Sequence, residues 1–413
     1  MSYKRLGDHI IEKVEFNDGN KYKLLQGVSN NKYFQKAKTN IIGIDLAKYR
    51  VAHHNQFVFN RATTRNGDKI SIALRKGESC IVSPSYRIFE VRDENLLHPD
   101  YLQMWFTRPE FDRYARFKSH GSAHEFFDME EMCEVELPIP SIEEQRQIVA
   151  QYQSIANKIK VNEQICEKLE ATAQALYKHW FVDFEFPNEQ GKPYKSSGGK
   201  MVWNEELGKD IPEGWEVGRL GNICSVLNGY AFNSEYYSFS DGIKVLRGEN
   251  VTEKALRWDT LKYFDGEVNT RIEKCFLKAN DIVIGMDGSK VGKNWSMVGE
   301  YELPMLLAQR VACLRSKGIQ YFLYQTLINL NFEYYCSQVH TGTSIPHIST
   351  KQIEQFQIII PTICILDDFE KLMLNLRYLI DNRNNQNQKL TQLQSLLLSR
   401  LAVGEEEKRK IMV

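Results

Sequence analysis

A chain of 413 residues exceeds what one ordinary core supports, and its length predicts two to four units. Its 42% hydrophobic and 26% charged residues are the composition of a globular protein and exclude a disordered one, while 53 basic side chains balanced by 53 acidic ones exclude a nucleic-acid partner held by bulk charge alone. No apolar run approaches the roughly 18–20 residues that span a bilayer, and the start MSYKRLGDHIIEK has no apolar signal core, so the expected location is the cytoplasm.

The neutral average hides a gradient. Residues 1–124 carry 21 Lys and Arg against 13 Asp and Glu, and an acidic cluster follows at Glu125, Asp128, Glu130, Glu131, Glu134 and Glu136. The eight cysteines are scattered without a C-x-x-C pair or a His at zinc spacing, which predicts reduced thiols filling apolar space. His53 and His54 are adjacent and diverge on a strand, so no metal site is expected.

From the start, YKRLGDHI (Tyr3 to Ile10) reads as a turn leading into a strand, and EVGRLGNI (Glu216 to Ile223) writes the same signal past the midpoint. Arg5-Leu6-Gly7-Asp8 falls on Arg219-Leu220-Gly221-Asn222, and RNGDKISIA from Arg65 aligns with KANDIVIGM from Lys278. Further on, Tyr101-Leu102 falls on Phe322-Leu323, Tyr114 on Tyr335, Gly121 on Gly342 and Pro140 on Pro361, all at one offset. Four ordered matches at one offset point to a duplicated unit.

After each of those prolines the apolar spacing becomes helical. Ile148, Tyr152, Ile155, Ile159, Asn162, Cys166, Leu169, Ala173, Leu176 and Trp180 follow steps of three and four, and Phe369, Met373, Leu376, Ile380, Arg383, Asn387, Leu390, Gln394, Leu397 and Leu401 repeat the seam. Both seams turn polar midway, at Asn162 and Arg383, which suits an antiparallel pair with meeting polar midpoints and a pseudo-twofold arrangement of the copies. The Pro, Gly and Ser of residues 188–212 mark a linker. The expected fold class is therefore α+β: two homologous mixed domains at 1–140 and 213–361, long helices at 141–187 and 362–403 forming an antiparallel coiled coil, the 188–212 linker, and a tail at 404–413.

Catalytic motifs are missing. GMDGSKVGKN (Gly285 to Asn294) has three residues between Gly288 and Gly292 and follows Lys293 with Asn, so it fails the phosphate-loop rule twice and reads as a small, basic turn. No G-x-G-x-x-G, H-E-x-x-H, G-x-S-x-G or Asn/Asp-Pro-Pro-aromatic tetrad occurs. What both copies offer instead is loops mixing cations, amides, glycines and aromatics. The first copy contributes Arg61, Arg65, Lys69, Tyr86, Arg87, Lys118, His120 and Ser122. The second contributes Asn228, Tyr230, Phe232, Asn233, Arg247, Asn250, Asp287, Ser289, Lys290, Lys293, Gln309, Arg310, Thr341, Thr343 and Ser344. Arg and Lys can bond guanine, Asn and Gln can pair with adenine, and glycine lets a backbone amide approach phosphate. The aromatics serve equally as anchors of the loops.

LPIPSIEEQRQIV and IIIPTICILDDF opening two long helices, with WFVDFEFPNEQGKPYKSSGGKMVW running into IPEGWEVGRLGNI, resemble the specificity subunit of type I restriction-modification systems over nearly the whole chain. That resemblance implies two target-recognition domains that read double-stranded DNA and perform no chemistry. It implies partners too: two modification subunits that bind S-adenosylmethionine and methylate adenine, and restriction subunits, motor-nucleases using ATP and Mg, with no cofactor in this chain. The first copy lacks a PEGWE lead-in, and its HGSAHEFF departs from TGTSIPHI in the second, so the two domains are expected to read different half-sites. A helix of about 40 residues is about 60 Å long, a ruler for two half-sites split by an unread spacer. The alternative is a coiled-coil scaffold with protein-binding domains.

Overall fold

The computed structural model describes residues 3–37, 43–62, 69–120, 125–342 and 345–402, so Arg65, Ser122, Thr343, Ser344 and the 404–413 tail lie outside the described residues. The protein is of mixed helix and sheet and divides into two compact units, residues 1–160 with 388–413, and residues 161–387. The long helices Ile142–Tyr177 and Ile363–Arg400 each contribute to both.

In the first unit the strand Tyr3–Arg5 runs antiparallel to Glu136–Pro138, so the beginning of the domain is clasped to its end. Leu6 follows fully buried, its N–H bonded to the Val135 carbonyl at 2.7 Å, and Arg5 pairs with Glu134. Gly7 is required by proximity: a Cβ there would stand 2.9 Å from the Cys133 Cβ. A four-stranded antiparallel sheet follows, ordered Ile10–Glu12, Tyr86–Val91, Gln56–Asn60, Ile72–Leu74. Strand alternation sends Phe57, Phe59, Phe89 and Leu74 to one face, against the helices Pro99–Thr107 and Pro109–Lys118. Val58, Ala73 and Ile88 go to the other face, against a β layer holding Val28, Ala52 and Val82. Burying a side chain such as Phe57 or Phe59 is worth about 1.5–3 kcal/mol, and both are fully buried. The helix pair joins this core, since Val149, Ile148 and Tyr152 of the first helix pack in one cluster with Leu398 and Leu401 of the second. Ile155, Ile159, Leu390 and Leu397 are half-buried.

The second unit repeats the plan. Glu216–Arg219 pairs with Gln357–Ile360, Arg219 opposite Gln357 as Arg5 is opposite Glu136, and Leu220 N–H donates to the Phe356 carbonyl at 2.8 Å. Gly221 would place a Cβ 3.0 Å from that of Glu354. The sheet order is Cys224–Asn228, Val311–Ser316, Ile282–Gly285, Trp295–Met297. Ile282, Ile284 and Leu314 face the helix Gln320–Asn329, and Val283, Val311 and Cys313 face a second β layer. This order corrects one alignment drawn from the sequence. KANDIVIGM contains the strand Ile282–Gly285, whose place in the first unit is held by Gln56–Asn60; RNGDKISIA leads instead into Ile72–Leu74, the counterpart of Trp295–Met297. Two short apolar runs, each preceded by a turn, were indistinguishable without their pairing partners.

The stretch read as a linker contains an antiparallel hairpin, Met201–Asn204 with Lys209–Pro212. Beside it Phe186 stacks between Tyr194 and Trp215, with ring centroids 4.5 and 5.1 Å apart. Within this unit the helices run antiparallel. Asn162, fully buried, donates to Asn387 Oδ1 at 2.8 Å, and Phe369 meets Tyr177, Trp180 and Phe181 with centroids 6.2, 5.7 and 4.8 Å away. Met373 and Ile380 are buried, Leu169, Leu176 and Leu376 half-buried, and Arg383 bonds Gln386 on its own helix.

Candidate nucleic-acid interface

In the second unit three loops leave the sheet at one edge, because Asn228 lies opposite Ala312 and Gly285 opposite Val311. The chain turns at Gly229, where a Cβ would stand 2.0 Å from the Ala308 carbonyl oxygen, so only glycine fits. Tyr230 then bonds both ways across the gap, its N–H to the Leu307 carbonyl at 2.9 Å and its carbonyl to Gln309 N–H at 2.7 Å. Arg310 takes a left-handed backbone (φ 72°), and its carbonyl accepts Met286 N–H at 3.0 Å. Opposite, the 340–347 loop is tied in by the bridges Asp287 to His347 and Thr341 to His347, and by Gly288 N–H to the Pro346 carbonyl at 3.0 Å.

Asp287 organises the charges. One carboxylate oxygen lies 2.5 Å from His347 Nδ1 and the other 3.4 Å from Arg310 Nε. Arg310 nevertheless leaves 57% of its side chain exposed, and Gln309, Thr341, Ser289, Lys290, Asn228 and Asn233 are exposed as well. Lys293 pairs with Glu333 at 3.0 Å, and Gly292 is packed where a Cβ would meet that of Cys336 at 2.8 Å. The 285–294 segment thus runs from strand to strand rather than from strand to helix, which is not the setting of a phosphate loop. Phe232 is half-buried against Phe264 and Tyr230, centroids 4.9 and 5.0 Å away, and anchors its loop. Asn250 is fully buried: its Oδ1 accepts Arg247 N–H at 3.0 Å and its amide donates to the Arg257 carbonyl at 3.1 Å, so it shapes a turn rather than facing a ligand. Arg247 donates to the Thr260 carbonyl at 2.6 Å and pairs with Glu249.

The first unit builds its corresponding corner from different side chains. Phe126 bridges Ala62 and His120, as His347 bridges Asp287 and Thr341. The Arg61 guanidinium lies 4.9 Å from the Phe126 ring centre, and Asp128 receives Arg61 at 3.0 Å and a two-pronged Arg87 contact at 2.6 and 3.1 Å. Burial would raise the Asp128 pKa, but hydrogen bonds from Arg87, Met129 N–H and Arg61 outweigh it and hold the carboxyl down at about 2. Arg87 is therefore committed within the protein. Tyr86 is half-buried with its hydroxyl 3.4 Å from Val28 N–H, Lys118 lies over the Tyr114 ring, and Lys69 and His120 are exposed.

Residues 5–171 and 212–392 each match the type I restriction modification DNA specificity domain, together most of the chain. The chain belongs to the type I restriction-modification specificity-subunit family. It is similar to the EcoAI specificity subunit of Escherichia coli, 34% identical over 170 residues that make up 40% of this chain and 29% of that protein's length. The MjaIX specificity subunit of Methanocaldococcus jannaschii is 29% identical over 310 residues, 74% of this chain and 68% of the relative. In fold, the chain matches the crystal structure of a type I restriction-modification system S subunit from M. genitalium with a TM-score of 0.56 at 15% identity, covering 98% of this chain and 96% of that one.

For a specificity subunit, the residues that sequence reasoning passed over are those that hold the loops and steer their arginines. Asp128 and His347 lay inside or beside quoted loops, but a lone carboxylate or imidazole carries no signal of the arginine it will steer. Gly229 is legible only through its contact with Ala308. Among the described residues no cluster of His, Cys, Asp and Glu could hold a metal ion, and no helix is long and apolar enough to cross a membrane.

Proposed function

We propose that this chain selects the DNA sequence for a type I restriction-modification complex, each unit reading one half of a bipartite site. The observation that carries this reading is the recurrence, at the same sheet edge of each unit, of loops locked by equivalent bridges but dressed differently: Arg61, Phe126 and Asp128 in one, Arg310, His347 and Asp287 in the other. Equal scaffolds with unequal side chains suit two different half-sites. Arg310 and Gln309 are exposed, and an arginine can bond guanine O6 and N7 in the major groove while a glutamine can pair with adenine. The domains span 1–140 and 213–361, and the long helices set the spacer between half-sites and dock two modification subunits. S-adenosylmethionine is bound by those subunits, ATP and Mg by restriction subunits, and this chain supplies no catalytic group; the complex works in the cytoplasm.

The deciding experiment is methylation mapping in cells expressing the chain with its modification subunit. One bipartite adenine-methylated motif is expected, and methylation at continuous or unrelated motifs would refute the reading. In the same assay Arg310→Ala should relax one half of the motif only, each lost bidentate contact removing about 1–3 kcal/mol of discrimination. Equal change in both halves would overturn the two-reader arrangement. Duplex binding should also fall steeply with salt; salt-insensitive association with a protein would favour a scaffold.

A further inference from the structure

In the second unit the long helices do more than pack against the reading domain. Arg377 of the second helix leaves only 13% of its side chain exposed and meets Asp381, one turn on and 20% exposed, at 2.8 Å. Tyr301, Tyr321 and Tyr324 of the domain act electrostatically on the guanidinium, as Glu300 does on Asp381. Glu302 of the domain and Glu170 of the first helix also act on Arg377, and Glu170 receives Gln325 of the domain at 3.3 Å. Among the described residues the Arg377 Nε has no hydrogen-bond partner.

Such an arrangement is a poor device for stability. Desolvating two charges costs several kcal/mol, and well-packed apolar replacements of a buried pair are often neutral or stabilising, whereas an unpaired buried charge is strongly unfavourable. Its distinctive property is positional. An apolar seam tolerates slippage, but sliding the helix one turn past the domain would bring Met373 or Asp381 to the tyrosines in place of Arg377; the Arg377–Asp381 pair would stay together on its helix, while the buried Glu302 of the domain would lose the favourable charge of Arg377. One turn is about 5.4 Å along the helix, more than the rise of about 3.4 Å per base pair of DNA.

The geometry points to Arg377, paired with Asp381, as a positioning residue that fixes where the second reading domain sits along the helix pair and thereby restricts the spacer length the complex accepts. This rests on the bipartite reading above. It acts through the domain's placement, so the bases read in either half-site are untouched by it.

The test uses the chain assembled with its modification subunit, and duplexes carrying the mapped half-sites with the mapped spacer, one base pair fewer or one more. Arg377→Met with Asp381→Leu should keep both half-site preferences and lower the preference for the mapped spacer by about tenfold, within the range of coupling between contacting residues. An unchanged spacer preference in the folded double variant overturns the inference. If that variant does not fold, Arg377→Lys, which keeps the charge but not the planar fork, carries the test: a measurable loss of spacer preference supports the inference, and none overturns it. Absence of any bipartite methylation by the unaltered chain would refute the function itself and is distinct from either result.

Discussion

Glu370 on the second long helix reaches across to the globular part of the second unit and accepts the N–H groups of Tyr321 and Phe322 at 3.2 and 2.7 Å, at the start of the helix Gln320–Asn329. It is only 7% exposed, and burial lifts its carboxyl from an ordinary 4.5 to about 7 in spite of those two donors and in concert with the nearby Asp367. A carboxyl whose pKa is higher folded than unfolded stabilises the fold fully below the unfolded value, and that contribution is lost as pH rises through the folded value. The window therefore runs from about pH 4.5 to about 7, and a shift of this size corresponds to about 3 kcal/mol. Glu370→Gln keeps one of the two oxygen acceptors, replaces the other by an NH2 group and abolishes the titration. Tryptophan fluorescence reports on the second unit, because Trp180, Trp203, Trp215, Trp258 and Trp295 lie there and only Trp105 in the first. In urea unfolding from pH 5 to pH 8, the wild type should lose about 2–3 kcal/mol relative to Glu370→Gln. Parallel stability curves for the two proteins would show that Glu370 is not held as a neutral acid and would refute the reasoning.

Gly229→Ala drives a methyl into the Ala308 carbonyl and should destabilise the loop by about 1–3 kcal/mol, seen as faster amide exchange at Tyr230 and Gln309; unchanged exchange would mean the close approach is not a constraint. Asn162→Leu should lower the melting temperature by removing the inter-helix hydrogen bond to Asn387, while Asn162→Leu combined with Asn387→Leu should raise it above wild type. A double variant no more stable than the single one would argue against a polar layer that trades stability for register.

Much of the architecture was legible because it is written in periods. Apolar residues at steps of three and four, as at Ile148, Tyr152, Ile155 and Ile159, mark the first long helix. The repeated Arg-Leu-Gly marked the start of each unit, and its glycine lies in a helical turn leading into a strand and also allows a close approach to a short helix. Asn162 stood out as a polar interruption of an apolar seam. The candidate site was legible as a set of loops, but not residue by residue: Asn250 and Phe232 share the composition of readers and are held inside the protein, whereas Gln309 and Arg310 are presented outward. Polar side chains satisfy their hydrogen bonds equally well with a backbone group or a ligand, so residue type does not reveal which partner is nearer.

Local pattern by itself determined the duplication, the two long helices and the absence of familiar catalytic motifs, because periodicity and spacing are properties of neighbours in the chain. Only the tertiary structure decided which short strand of one copy corresponds to which of the other, which arginines are steered by Asp128 and Asp287, and that Glu370 fastens a helix to a domain. Those contacts join residues far apart in sequence, and a charge declares its role only when burial removes water and leaves a particular partner within reach.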